Sequence, residues 1–495
     1  MMRLLIPIIF IAASLSAATS EIADAAENRD LAGVRAAIAQ HASVTAAQLD
    51  GTTALHWAAH WNETEAFNLL LRAGADAKAV NRYGATPLSE AAMVGNARMV
   101  EALLKAGADP NTLTTPDGET VLMTAARAGQ LDAVMALAGH GAGVNARETY
   151  RGQTALMWAA AEHHPEVVKY LLEHGADWKV RSFDRNNQIP KLSAASSITP
   201  MAKGGLTALD FAAREGDVES ARGLLDAGAD INQLDADNTH ALTIALVNKH
   251  YTFTRFLLDR GASPNLADSH GRTPLYAAID ARNEDYSALP TRKEDDPLPS
   301  IEIIRALLDH GADRNAALTR NLPGRSGMDS GDTTLDAGTT PLMRAARAGD
   351  VEVMRLLIQK GADPKRTTGS GNDILLYAAG VGYRDKNTRS GEEGALESVK
   401  VALGQGLDLH HQNARGETAM HGAAFRGADN VVEYLASQGG RLDEKTKQGF
   451  TVLDYAMGRS ISGQLPVPHD STVVLLRKLG AHEGREVSQA VASAH

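Results

Sequence analysis

The chain has 495 residues, which is more than one ordinary globular core holds. Only 4% of the residues are aromatic while 44% are hydrophobic, so a core would have to be built from Ala, Leu, Val and Met, which suits closely packed short helices. The net charge of −11 argues against a nucleic-acid partner, and the absence of cysteine excludes disulfides, Cys-ligated zinc, iron–sulfur clusters and thiol nucleophiles.

The N-terminus has the layout of a secretory signal peptide. Arg3 supplies a positive charge, residues 4–15 are an apolar stretch, and Ser16-Ala17-Ala18 offers the small residues that a signal peptidase reads. The alternative is a buried first helix of the fold. We predict a signal peptide over residues 1–18 and a periplasmic or secreted protein. No later segment reaches 18 consecutive apolar residues, so we expect no membrane insertion after cleavage.

One seven-residue phrase recurs down the chain, and most successive copies start 33 or 34 residues apart. It reads TALHWAA at 53–59, TPLSEAA at 86–92, TVLMTAA at 120–126, TALMWAA at 154–160, TALDFAA at 207–213, HALTIAL at 240–246, TPLYAAI at 273–279, TPLMRAA at 340–346, DILLYAA at 373–379, TAMHGAA at 418–424 and TVLDYAM at 451–457. A second phrase such as LLKAGAD at 103–109 follows most copies. A fixed period of this length indicates a stack of repeated helical units.

Each repeat carries the signals that start and stop helices. Thr before the first helix can cap an unpaired backbone N–H, and Pro at the next position, as in Pro87, lacks the N–H that would be unpaired there. The Ala pair allows two helices to approach closely. Glycines such as Gly107 end the second helix, and another, such as Gly84, occupies the following turn, where Asn238 replaces it in one repeat.

The 33-residue period and the T-P-L-H-x-A motif resemble the ankyrin-repeat family. The resemblance covers residues 20–482 and implies an all-α repeat solenoid of stacked helix-turn-helix repeats with β-hairpin fingers. Residues 20–47 match as a degenerate first repeat that caps the stack. The other repeats are predicted to start near residues 51, 84, 118, 152, 205, 238, 271, 338, 371, 416 and 449.

Longer spacings between some copies mark insertions, which are rich in Pro, Gly, Ser or charged residues and are predicted to be exposed loops. These insertions are residues 183–203, 284–299, 316–337, 383–395 and 459–470. Because the repeat phrases on both sides are intact, we expect one continuous stack rather than two domains. Residues 483–495 are polar and are predicted to be a disordered tail.

No pattern of catalytic or metal-binding residues stands out. The chain lacks GxSxG, Walker and GxGxxG motifs, and its 17 histidines show no zinc-site spacing. By the resemblance, His56 and His421 would hydrogen-bond the adjoining loop and His164 would be a polar turn residue. We predict no enzyme, no metal and no cofactor. A site within the insertions is the alternative.

Ankyrin proteins usually bind partners on a concave groove, lined by finger tips and by the two residues that follow the Ala pair. The candidate groove residues are His60, Trp61, Tyr83, Met93, Val94, Arg127, Arg214, Arg347, Phe425 and Arg426. Arginine is the family's usual residue at three of these positions, so the arginines are weak evidence for an acidic ligand. Trp57 and Trp158 lie one step earlier and are predicted to belong to the core.

The first two full repeats place His60, Trp61, Met93 and Val94 side by side on the predicted groove, with Tyr83 above them. Exposed Trp, Met and Tyr side chains are typical anchors of a protein interface. Alternatively, Trp61 covers the degenerate first repeat and seals the end of the stack. The predicted function is a monomeric scaffold that binds another protein outside the cytoplasm. An exported effector that acts on a host protein is the alternative.

Overall fold

The computed structural model describes residues 20–184, 204–283, 296–322, 334–383, 391–459 and 467–484. The predicted signal peptide, 1–18, lies outside these ranges. The chain divides into two compact units, Met1–Val180 and Arg181–His495, which we call unit 1 and unit 2. The boundary falls just before the first predicted insertion, and the single continuous stack stays a prediction.

Unit 1 consists of helix pairs. The first helix of each pair packs against the second helix of the same pair, and successive first helices within the unit pack against one another. The helices are α1 (Glu21–Glu27), α2 (Leu31–Ala39), α3 (Ala54–His60), α4 (Thr64–Arg72), α5 (Pro87–Val94), α6 (Ala97–Lys105), α7 (Val121–Arg127), α8 (Leu131–Gly139), α9 (Ala155–Ala161) and α10 (Pro165–Glu173).

Unit 2 repeats the same arrangement, and its first helices contact one another in chain order. The helices are α11 (Ala208–Glu215), α12 (Val218–Asp226), α13 (Ala241–Val247), α14 (Tyr251–Asp259), α15 (Pro274–Arg282), α16 (Ser300–Asp309), α17 (Pro341–Ala348), α18 (Val351–Gln359), α19 (Ile374–Ala379), α20 (Glu392–Leu403), α21 (Ala419–Arg426), α22 (Asp429–Ser437), α23 (Val452–Ala456) and α24 (Asp470–Lys478). The chain is therefore an all-α repeat solenoid.

The motif threonines start most first helices, as predicted. Thr86 accepts a hydrogen bond from the Ser89 N–H, and the Ser89 hydroxyl accepts one from the Thr86 N–H at 2.8 Å. His56 uses both ring nitrogens: Nδ1 contacts Thr53, and Nε2 lies 3.0 Å from the carbonyl oxygen of the adjoining loop. These reciprocal bonds satisfy helix N–H groups that would otherwise be unpaired.

The core follows from the small residues of the first helices. Both alanines of the pair, for example Ala125 and Ala126, are fully buried, and so are second-helix leucines such as Leu103. Burial of one leucine side chain contributes about 2 kcal/mol to stability. Neighbouring helices pack directly on these alanines, so there is no room for a larger side chain. Replacing Ala126 by leucine would therefore lower the stability by about 1–3 kcal/mol through overpacking.

The fingers are turns rather than regular β-hairpins, so that part of the fold prediction is wrong. In the described ranges β-pairing is limited to isolated bridges, for example Ala47 with Thr53. Each finger is closed by few backbone bonds, and a bond such as Arg82 N to Asp50 O, 2.7 Å, joins neighbouring fingers. The turns need positive φ, and Asn238 adopts φ 59° where other repeats have glycine, as predicted.

Two predicted insertions are partly ordered against the repeats. Leu318, Leu322 and Leu335 are buried, so the prediction of an exposed loop over 316–337 is wrong at these residues. Helix α20 begins at Glu392, so the last residues of 383–395 are helical. The apolar leucines explain the first result, since they pack on the repeats instead of facing water. The rest of the insertions lies largely outside the described residues, as does the predicted tail beyond Gly484.

Candidate functional site

Three rings cluster at the C-terminal end of α3 in unit 1. Trp61 stacks on Trp57 with ring centroids 6.3 Å apart and planes 12° apart. His60 meets Trp61 edge-on at 4.6 Å and Trp57 at 5.7 Å. Trp57 is anchored in turn by its Nε1–H, which donates to Gln48 at 2.8 Å. The cluster therefore holds the large apolar surface of Trp61 in one orientation.

Trp61 was predicted to be either an interface anchor or a seal over the first repeat, and its surroundings have features of both. The guanidinium of Arg29, between α1 and α2 of the degenerate first repeat, lies 5.9 Å from its ring centroid. Arg29 is itself held by Glu63 at 2.7 Å. Yet Trp61 is 40% exposed. It contacts the first repeat without being buried by it, so part of its surface remains available to a partner.

The other candidates on this side differ in exposure. Tyr83 is 69% exposed and Met93 is 42% exposed, whereas Val94 is half-buried. His60 hydrogen-bonds Glu90 of α5 at 2.8 Å and so joins the first two full repeats. The structure thus presents the predicted Trp, Tyr and Met to solvent.

Sequence reasoning missed further exposed apolar residues in the fingers of unit 1, namely Leu49 (80%), Val80 (59%), Leu113 (54%) and Tyr150 (52%). They lie in the finger segments, whose turns ordinarily carry Asp, Asn, Ser and Gly. A large apolar side chain in a segment that is otherwise polar is the feature of the sequence that could have identified them. We call Leu49, Trp61, Val80, Tyr83, Met93, Leu113 and Tyr150 the unit 1 apolar face.

The first candidate arginine lies over a ring. Arg127 pairs with Glu119 at 3.1 Å, and its guanidinium carbon is 5.3 Å from the centroid of the Trp158 ring. Trp158, like Trp57, is half-buried, so the prediction that both tryptophans belong to the core is wrong. The Trp57 ring lies where α3 meets the finger, since its Nε1–H donates to Gln48.

In unit 2 the candidate arginines have different environments. Arg214 is partly exposed, pairs with Glu215 at 2.7 Å and lies over the ring of Phe211 at 4.9 Å. Arg347 and Arg426 are only 1% and 8% exposed, so their placement on an open groove is wrong. Arg426 lies over the Tyr383 ring at 4.5 Å, which covers it.

A turn after α19 buries Arg347. Helix α19 ends at Ala379, because Gly380 has φ 126° and Gly382 has φ 71°. The reversed chain brings the Gly382 carbonyl over α17, where it accepts a hydrogen bond from Arg347 Nε at 2.9 Å. Glycine at both positions permits a backbone that other residues rarely adopt.

Phe425, the last candidate, is half-buried and lines a cavity of about 230 Å³ in unit 2. Three rings form its apolar side: Tyr383, Phe425 and Tyr455. The polar side comes from the fingers, with Asp336, Asn372 and the Arg415–Glu417 pair. Burial raises the pKa of the Tyr455 hydroxyl, which donates to Glu417 at 2.7 Å.

The histidines have structural hydrogen bonds. His164, His250 and His469 precede second helices, and each ring bonds a carbonyl oxygen at the end of the preceding repeat's first helix, within 3.0 Å. His421 repeats the arrangement of His56, with Nε2 3.4 Å from the Phe450 carbonyl oxygen. No three His, Cys, Asp or Glu side chains in the described ranges are grouped as a metal site would require.

Within the same ranges, no helix combines the length and the hydrophobicity that a membrane crossing needs.

Paired helices joined by finger turns define a class of protein, the helical repeat solenoid. The sequence profile described as "Ankyrin repeats (3 copies)" matches residues 22–114, 108–182, 209–317, 300–386 and 390–467. A second profile, "Ankyrin repeats (many copies)", matches residues 156–222. The matches cover most of the chain, and it belongs to the ankyrin-repeat family.

Several characterised proteins are similar over about half of this chain. Human rabankyrin-5 is 27% identical over 272 residues, which are 52% of this chain and 21% of that protein. The phosphocholine transferase AnkX of Legionella pneumophila is 26% identical over 54% of this chain and 26% of its own length. The bovine mitochondrial disaggregase is 34% identical over 49% of this chain and 34% of its own length.

Among solved structures, the ankyrin repeat domain of human ASB11 aligns with 50% of this chain and 99% of its own, with 26% identity and a TM-score of 0.40. The chain spans between about a fifth and two fifths of the length of the first curated relatives that it matches.

Proposed function

We propose that the chain is a non-enzymatic scaffold that binds another protein outside the cytoplasm through the unit 1 apolar face. Ankyrin repeats serve in protein–protein interaction, and the observation that carries the proposal is the exposure of large apolar residues on the fingers and at the end of α3. Leu49 is 80% exposed and Tyr83 is 69% exposed. Large apolar and aromatic side chains that are exposed to water favour burial against a partner.

Trp61 is the proposed anchor of this interface. Its ring is already fixed by Trp57 and His60, so little side-chain freedom would be lost when a partner covers it. Fixed aromatic residues of this kind supply much of the affinity of protein interfaces, about 2 kcal/mol or more each.

The test is a pull-down from the native envelope fraction, followed by titration of the recovered partner. Trp61→Ala should weaken binding by about 30-fold, which corresponds to about 2 kcal/mol. Trp178→Ala is the matched control, since Trp178 is a half-buried tryptophan of the same unit with Lys179 over its ring at 5.2 Å. If Trp61→Ala instead lowers the melting temperature and leaves the affinity unchanged, Trp61 seals the stack and the proposal loses its anchor.

Export rests on the N-terminal layout of residues 1–18. Mass spectrometry of the native protein should find a mature N-terminus near Thr19. Intact Met1 in a cytosolic fraction would overturn the location and leave the protein-binding proposal in place.

The alternative is an exported effector that acts on a host protein, and the similarity to AnkX is the observation that favours it. That similarity covers about a quarter of AnkX, so its activity is not transferred to this chain. The two functions differ in where the partner originates. A partner recovered from host extract and absent from the native envelope would support the effector.

A further inference from the structure

The cavity in unit 2 has a fixed wall. The Gly382 carbonyl accepts hydrogen bonds from Arg347 Nε at 2.9 Å and from Thr334 Oγ1 at 3.2 Å. These two bonds pin the turn that carries Val381 and Tyr383 along the cavity. The backbone at Gly380 also packs closely against that of Gly422, since a Cβ on Gly380 would lie 2.6 Å from the Gly422 carbonyl oxygen. The cavity is thus bounded by backbone that has little room to collapse.

The rings that line the cavity have the electrostatic character that attracts cations. Phe425 and Tyr455 lie 6.4 Å apart with planes 68° apart, and Tyr383 contributes a third ring. The faces of aromatic rings carry negative potential and attract ammonium and guanidinium groups. At Tyr383 the protein already contains such an interaction, because the guanidinium carbon of Arg426 lies 4.5 Å from the centroid of its ring.

The two carboxylates at the cavity, Glu417 and Asp336, differ in whether a positively charged side chain pairs with them. Glu417 is paired with Arg415 at 2.9 Å and also accepts from Asn413 and Tyr455. Asp336 is half-buried, and within the part of the chain that the structure describes its carboxylate accepts from two neutral groups, the Ser370 N–H at 2.9 Å and the Tyr377 hydroxyl at 3.4 Å.

Asp336 forms no ion pair with any residue in the described ranges. Its negative charge also acts on a neighbour: after burial, it is the second cause that raises the pKa of Tyr377, to about 12. A partly buried carboxylate without a salt-bridge partner is energetically costly, so a cation at this position would be stabilised by direct attraction.

We propose that this cavity binds an organic cation, an ammonium or guanidinium group on a short apolar stem. The charged group lies between Asp336 and the rings of Phe425 and Tyr455. A volume of about 230 Å³ suits a group of this size rather than a larger ligand. The cation can come from a Lys or Arg side chain of a bound peptide or from a free amine.

The test is calorimetric titration of the full chain with agmatine and with choline. Pentanol is the neutral comparison and valerate the anionic one. Agmatine or choline should bind at least about tenfold more tightly than either comparison. Capped pentapeptides with a central Arg or Lys distinguish the two sources: tighter binding of the peptides assigns a partner's side chain, and equal binding assigns a free amine.

Asp336→Asn removes the charge and keeps an oxygen that can accept from Ser370, so we expect it to weaken cation binding at least about tenfold. Asp230→Asn, an exposed aspartate of the same unit away from the cavity, should leave binding unchanged. Phe425→Leu provides an independent variant and should weaken the binding by about threefold or more.

Cation binding that is equal in Asp336→Asn and the unsubstituted chain would overturn the proposal. So would preferential binding of valerate, which would assign the cavity to Arg415 instead, or no binding of any cation at millimolar concentration.

Discussion

Two segments of the chain have the same five-residue sequence and opposite surroundings. Ala-Ala-Arg-Ala-Gly occurs at 125–129 in unit 1 and at 345–349 in unit 2. Arg127 has a 42% exposed side chain that lies over a tryptophan ring, while Arg347 is 1% exposed and bonds a backbone carbonyl. Local sequence sets the helix and its end, but the next repeat decides whether the arginine reaches water.

The two arginines differ in exposure because the first helix of the next repeat ends differently in each case. After Arg127, helix α9 runs from Ala155 to Ala161, and its Trp158 ring lies beside an arginine that stays partly exposed. After Arg347, helix α19 stops at Ala379 and the chain turns back over α17. The same repeat therefore produces an exposed apolar face in unit 1 and a ring-lined cavity in unit 2.

The largest expected effect is on unit 2. Arg347→Ala leaves a buried space and removes a bond to the Gly382 carbonyl, so we expect a loss of about 3–4 kcal/mol. Arg127→Ala, in the identical local sequence, should cost about 1 kcal/mol or less. All four tryptophans, at 57, 61, 158 and 178, belong to unit 1. Urea unfolding followed by circular dichroism should thus show the Arg347 effect, while tryptophan fluorescence should not. Equal losses for the two variants would contradict the burial difference.

A smaller effect is expected where the covering turn begins. Gly380→Ala places a Cβ 2.6 Å from the Gly422 carbonyl oxygen at φ 126°, so we expect a cost of about 2–3 kcal/mol. Gly175→Ala in unit 1 has φ 87° but nothing within 4 Å, so strain alone should cost about 1 kcal/mol. Because Gly380 helps to cover Arg347, the double variant with Arg347→Ala should lose less than the sum of the two single losses. Strict additivity would show that the turn and the arginine are independent.

The units should also differ in their response to pH. Burial raises the pKa of Asp210 in unit 2 to about 7, and Asp235 beside it is raised to about 6, mainly by burial. Since the unfolded carboxyl ionises near pH 4 while folded Asp210 keeps its proton, stability should fall as the pH rises from about 4 to 7. Hydrogen bonds from Thr207 and the positive charge of Arg181 oppose the shift.

Asp210→Asn should remove part of this pH dependence and stabilise unit 2 at pH 8 relative to pH 5 by about 1–2 kcal/mol. Asp454→Asn is the control at the same capping position. Asp454 is paired with Arg459, so its replacement should destabilise the unit at pH 8. Melting curves by circular dichroism at the two pH values check both. An unchanged pH dependence in Asp210→Asn would mean that Asp210 is ionised in the folded protein.

The sequence predicted the fold because the repeat carries its own signals: threonine caps, alanine pairs and turn glycines recur at a fixed period. It also predicted the exposure of Tyr83 and Met93, which follows from their position in the repeat. It could not predict the burial of Arg347, because this depends on a backbone turn 35 residues later in the sequence. Nor could it predict that Asp336 has no salt-bridge partner among the described residues, since it lies in a predicted insertion that packs against the repeats.

The most direct test of whether the unit 1 apolar face binds a partner is hydroxyl-radical footprinting of the chain with and without that partner. Met93 on first helix α5 and Met135 on second helix α8 are 42% and 45% exposed, so they should oxidise at similar rates in the free protein. With the partner bound, we predict protection of Met93, Trp61, Tyr83 and Tyr150, while Met135 stays reactive. Protection of Met135 with Met93 and Tyr83 still reactive would contradict the claim that the unit 1 apolar face is the binding surface.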